Sequence, residues 1–196
     1  MKPIQKEFVK GEIRMKRGFI LIFSIIMLLC SSISAYAYNT YGGYTLEGGI
    51  SGRSYYISAT GYWRSPYTDA FNAWYNTSTP FSFSETTSLA NSVIDCYTYS
   101  SSSDNLNGYT ELYIDGEGLT RYVPDSDWEW AKFHLNTKSL SNTSSSFDKG
   151  VAGHEIGHAI GLHHNFNEDV LMNTHAGGRT VTTPQDDDVD GVNSLY

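Results

Sequence analysis

His154-Glu155-Ile156-Gly157-His158-Ala159-Ile160-Gly161-Leu162-His163-His164 reads H-E-x-x-H-x-x-G-x-x-H. On a helix, residues i and i+4 share a face, so His154 and His158 present two ring nitrogens to one ion. Glu155 stands one step round from His154, close to such an ion without having to bind it. A general base that takes a proton from an activated water must stand there. Gly161 ends the helix, because glycine turns the chain through positive φ at little cost. The turn brings His164 back as a third ligand. An imidazole-only donor set favours zinc over hard cations. Three protein ligands with a fourth position left for water describe a catalytic site, whereas a structural site is closed by four. H-E-x-x-H alone arises by chance in roughly one in 200 chains of this length, and the added Gly and third His lower that to the order of one in 100,000.

These eleven residues resemble the metzincin zinc endopeptidases, whose motif is followed by a Met-turn. Met172, in Asp169-Val170-Leu171-Met172-Asn173, lies eight residues beyond His164 and looks like that turn. The resemblance implies that its side chain forms an apolar floor beneath the metal ligands. The tail Thr183–Tyr196 is similar to the closing helix of the matrixin branch, which holds the matrix metalloproteinases and their secreted bacterial relatives. The specific likeness covers residues 147–196; upstream it is one of element order. It implies an α+β catalytic domain with one twisted, mostly parallel five-stranded sheet, an active-site helix, a Met-turn and a C-terminal helix. It also implies an edge strand, Tyr109–Asp115 by order, that pairs with an extended substrate. The pocket beside the scissile bond would be walled by residues 173–183.

The first 37 residues read as a signal peptide. Lys16-Arg17 precede an apolar run from Phe19 to Cys30, and Ala35-Tyr36-Ala37 supplies an A-x-A site. Residues 38–196 are then the catalytic domain, and the protein is expected to be secreted, free of the membrane after cleavage and monomeric. The whole chain carries −8, from 13 Lys/Arg and 21 Asp/Glu; its first 37 residues hold six of the former and two of the latter, so the remainder carries −12. An acidic domain repels nucleic acid and anionic membranes, which leaves a protein or peptide as the expected partner. Cys96 alone remains after cleavage, which excludes an intrachain disulfide, and it reads as a buried small residue.

Along the chain, Arg53–Thr60 alternates as a strand, and Pro66 opens a helix through Tyr75. Residues 81–85, 92–99, 109–115 and 130–136 read as four more strands. Ser145-x-x-Asp148 fits a capping box for the site helix, with Ala152, Ile156, Ala159 and Ile160 on its buried side. Thr183-Pro184 starts the last helix, with Asp186, Asp187 and Asp188 at its positive end and Val189, Val192 and Tyr196 docking it.

The chain departs from the matrixin pattern in two ways. Between Ala37 and the first strand it has no cysteine to plug a zinc, and it has no H-x-D for a second, structural zinc. His134 reads as packed or solvated, His163 as turned away from the metal, and His175 as a residue that could line the cleft. Asp104, Asn105, Asn107, Asp115, Glu117, Asp125 and Asp127 offer loop oxygens for calcium, or are simply solvated. The expected function is a zinc endopeptidase with Glu155 as base. Its rivals are a non-catalytic zinc-containing binding protein on the same fold and a structural module closed by His163 or His175. A ligand-only site has no use for Glu155, which disfavours the first; an open, water-occupied fourth position in a metal-bound structure would separate catalysis from the second.

Overall fold

Strands form where β-branched and aromatic residues alternate, and helices where Ala, Phe and Trp recur every three or four positions. The computed structural model describes residues 38–103, 105–120, 123–167, 169–174 and 180–196. The signal-peptide reading, Asp104 and residues 175–179 of the expected pocket wall, His175 among them, lie outside them. The elements are β1 (Asn39–Thr40), β2 (Arg53–Ile57), α1 (Arg64–Tyr75), β3 (Phe83–Glu85), β4 (Ile94–Tyr99), β5 (Gly108–Ile114), β6 (Glu117–Thr120), β7 (Trp130–Asn136), α2 (Ser145–Ala159), β8 (Leu162–His163) and α3 (Asp186–Asn193).

The main sheet has the order β3-β2-β4-β7-β5-β6. Pairing is parallel from β3 to β7 and antiparallel at β5–β7 and β5–β6. The sheet is therefore mixed and six-stranded, not five-stranded. The extra strand comes from Asp115-Gly116, which take positive φ of 51° and 80° and close a two-residue hairpin between β5 and β6. Asp-Gly between alternating residues is a strong hairpin signal, because the right-handed strand twist selects turns with positive φ at both central positions. The same hairpin corrects the edge-strand expectation. Glu111–Tyr113 of β5 are paired on both sides, while among the described residues Gly108–Thr110 pair only with β7. A second, two-stranded sheet joins β1 to β8.

Helix boundaries also move. The cap of α2 is Ser144, whose hydroxyl accepts the Phe147 N–H at 3.2 Å, not Ser145. Any of the three serines 144–146 could cap. Asp148 falls inside the helix and accepts Tyr62 Oη at 2.6 Å, with a further bond from the Thr143 hydroxyl. The last helix begins two residues later than expected. Gln185 is its cap, and the Gln185 N–H donates to Asp188 at 2.8 Å. Pro66 stands in the first turn of α1, where a missing N–H costs nothing.

The core lies between the sheet and the two helices α1 and α2. Trp74, Tyr67, Phe133, Ile94 and Ile156 are fully buried there, and Tyr55 stacks on Phe71 at 3.7 Å. Both buried indoles also tie the site helix in place. Trp74 Nε1 donates to the Gly153 carbonyl at 2.9 Å and Trp128 Nε1 to that of Ala159 at 3.0 Å. The second bond satisfies a carbonyl in the last turn, which has no intrahelical partner. Val192 is buried, and Tyr196 accepts the Leu46 N–H at 3.0 Å, so two of the three residues expected dock α3, while Val189 is only part-buried. Cys96 is buried and free, and burial raises its thiol pKa.

Candidate metal centre

Every residue of α2 from Gly150 to Ala159 is buried, including His154, Glu155 and His158. Such depth needs small residues on the helix surface. Leu171 Cδ2 would lie 3.2 Å from a Cβ at Gly153, and a Cβ at Gly157 would overlap Met172 Sδ. The segment after the third histidine therefore packs directly on the helix backbone, with Met172 beneath Gly157. Gly161, at φ 105°, ends the helix, and the chain passes through β8 to His164.

That reversal brings three imidazoles together. Ring centroids are 4.7 Å apart for His154–His158, 5.2 Å for His154–His164 and 4.7 Å for His158–His164. Their ligand atoms lie within 4.8 Å of one another, the one such group of three or more His, Cys, Asp or Glu among the described residues. The far side of each helical ring sets the tautomer. His154 Nδ1 lies 2.8 Å from the Leu171 carbonyl, and His158 Nδ1 lies 2.9 Å from that of Leu162 and 3.0 Å from Tyr41 Oη. A carbonyl only accepts, so each Nδ1 carries the hydrogen and Nε2 presents a lone pair. His158 Nε2 then faces His164 Nε2 at 3.1 Å. Two imidazole nitrogens that close call for a cation or proton between them. Tetrahedral zinc with bonds of about 2.0–2.1 Å would hold its nitrogens roughly 3.4 Å apart, which this donor set fits.

Glu155 is 5% exposed. Thr110 Oγ1, on β5, lies 2.8 Å from its Oε2 and 3.0 Å from its carbonyl oxygen. A Cβ on Gly108 would come within 3.1 Å of Glu155 Oε1 and 2.9 Å of the His134 carbonyl, so β5 lies close against the carboxylate.

His164 is held from a distant segment. Asn39 and Thr40 pair with His163 and Leu162, Asn39 Nδ2 donates to the His164 carbonyl at 2.9 Å, and the Tyr41 N–H donates to that of Gly161 at 3.1 Å. Tyr41 is buried, and burial first, then the Glu155 charge, raises its phenol pKa well above the ordinary value. The turn under the helix is tied to α3. Asp188, 2% exposed, accepts the N–H groups of Leu171 at 2.8 Å and Met172 at 3.1 Å.

The residues singled out in the sequence thus divide clearly. His154, Glu155, His158 and His164 meet in one place, and Met172 lies beneath them. His163 is outside the group of three and packs edge-on against Tyr41 at 5.1 Å. His134 is on β7, stacked on Tyr109 at 4.6 Å and Tyr97 at 5.7 Å. Among the calcium candidates, Asp115 and Asp127 line a cavity of about 390 Å³ with Glu47, Ser126 and Glu129. Sequence reasoning missed Thr110, Gly108, Asn39 and Tyr41. Each meets the motif from a distant segment, and no local pattern marks it.

The model of the matrixin family matches residues 59–196. The chain belongs to the matrixin family. A similar protein is Metalloendoproteinase 5-MMP of Arabidopsis thaliana, 33% identical over 86 residues. That match takes in 43% of this chain and 22% of the plant protein, so the chain spans about a fifth of that relative's length. A matrixin is a zinc metalloprotease by class. The three-imidazole group of this one suits the metal that class requires.

Proposed function

We propose that this matrixin is a secreted zinc endopeptidase. The observation that carries the reading is the convergence of His154, His158 and His164 beside the buried Glu155 carboxylate. The three imidazoles would hold zinc, which when bound polarises the scissile carbonyl and lowers the pKa of a water. Glu155 accepts the proton from that water as its oxygen attacks the carbonyl carbon. It then delivers the proton to the amine nitrogen as the peptide bond breaks. No acyl-enzyme forms, since the reading uses no Ser or Cys nucleophile. Met172 serves as the Met-turn, an apolar floor on which the ligand-bearing helix rests. An extended peptide would add beside Gly108–Thr110, which among the described residues pair only with β7 and lie against Glu155. Calcium would be sought at the acidic cavity of Glu47, Asp115, Asp127 and Glu129. Export would leave Tyr38 as the N-terminus, which mass spectrometry of secreted material reads directly.

Glu155→Gln tests the chemistry. The amide is nearly the same size but takes up no proton, so peptide hydrolysis should fall by at least about 10²–10⁴-fold at unchanged zinc content. Near-normal hydrolysis by the zinc-loaded variant would refute the mechanism. A wild type that binds zinc fully and cleaves no peptide would favour a binding protein on this fold.

A further inference from the structure

We propose that Thr110 is a positioning residue that orients the Glu155 carboxylate, an inference resting on the reading of Glu155 as proton carrier. The Thr110 hydroxyl has one hydrogen and two oxygens of Glu155 within reach, Oε2 at 2.8 Å and the main-chain oxygen at 3.0 Å. The carboxylate oxygen is the nearer of the two and the stronger acceptor, so the hydrogen belongs to it. On the other flank the backbone of Gly108 lies against Oε1 and Cγ, in a gap that a Cβ would fill at 3.1 and 3.2 Å. Glu155 is thus bracketed by two residues of one strand, a hydroxyl on one oxygen and bare backbone beside the other.

The bracket is rigid for two reasons. Pairing of Gly108 with Leu135 and of Thr110 with Phe133 fixes the position of β5. Threonine is stiff at χ1, so the hydroxyl has little freedom to follow a wandering carboxylate. A base must stay within about 2.6–3.2 Å of the proton it moves, and small displacements are costly. Thr110 supplies that constraint for a side chain with three rotatable bonds.

The test uses the zinc-loaded protein and acetohydroxamate, a metal-binding probe whose acidic proton needs a carboxylate acceptor beside the metal. Its affinity is read by calorimetry, without turnover. Thr110→Val keeps the shape and removes the donor, and should weaken the probe about tenfold at unchanged zinc content. Thr110→Ser should bind it like the wild type. In a Glu155→Ala background, Thr110→Val should add nothing, because the group it orients is gone. With a peptide substrate, the same variant should lose about tenfold in kcat with KM unchanged. Wild-type affinity in Thr110→Val, an equal loss in the Glu155→Ala background, or loss of zinc from the variant would each overturn the proposal. The expected probe pattern in a protein that cleaves no peptide would uphold the Thr110–Glu155 relation and overturn the peptidase reading instead.

Discussion

His154 Nδ1 lies 2.8 Å from the carbonyl oxygen of Leu171, seventeen residues further along the chain. The amide of the same Leu171 donates to the Asp188 carboxylate at 2.8 Å. The first imidazole is therefore oriented by a peptide unit that is itself anchored by the closing helix.

Asp188→Ala should loosen that anchor. It would strip the buried N–H groups of Leu171 and Met172 of their acceptor, at about 1–3 kcal/mol for each unsatisfied donor. The expected result is a loss of roughly 2–5 kcal/mol in urea unfolding, together with weaker zinc retention against a chelator. Asp188→Asn keeps one acceptor oxygen and should lose less. Equal stability of Asp188→Ala and wild type would contradict the anchor.

Gly157→Ala would ordinarily stabilise a helix interior by up to about 1 kcal/mol. Here the added methyl meets Met172 Sδ, so the sign should reverse, to a loss of about 1–3 kcal/mol. Combining it with Met172→Ala should cost less than the sum of the two single changes, because the smaller side chain makes room. Strict additivity in denaturant unfolding would show that the two residues do not press on each other.

Tyr41→Phe removes only the oxygen that lies 3.0 Å from His158 Nδ1 and keeps the ring against Trp128 and His163. Outer partners of metal-bound imidazoles are worth roughly 10–100-fold in metal affinity, and the Leu162 carbonyl remains here as a second acceptor. We expect zinc affinity to fall about tenfold in a competitive chelator titration. An unchanged affinity would show that the Leu162 carbonyl suffices alone.

His134 should make the fold acid-sensitive. Burial, the largest influence, holds its imidazole below the ordinary value, against an opposing pull from Glu111, whose carboxylate is 3.5 Å from Nε2. The buried Nε2 makes no hydrogen bond. The unfolded chain thus takes up this proton more readily than the folded one. The stability that neutral His134 contributes is present above the ordinary imidazole pKa and lost as pH falls through the lower folded value. His134→Phe keeps a ring between Tyr97 and Tyr109 and should lose less in melting temperature than the wild type between about pH 7.5 and about pH 5. Both are compared metal-free, so His154, His158 and His164 contribute equally. An identical drop would remove His134 from the account.

Residues close in sequence made much of this protein legible. His154 and His158 share a helix face by spacing alone, Gly161 ends that helix, and Met172 and the Asp186–Asp188 run follow within the same short tail. The acidic turn reads as a cap, and Asp188 closes the capping box on Gln185. The sixth strand is legible too, in the Asp115-Gly116 hairpin turn. The tertiary structure alone decided what surrounds the motif. Thr110 reaches Glu155 across 45 positions, Tyr41 reaches His158 across 117 and Asn39 reaches His164 across 125. Spacing within a helix is set by backbone geometry, which any sequence of good formers obeys. Contacts of that span depend on sheet register and on how the segment Asn39–Tyr41 docks, and no local periodicity records either.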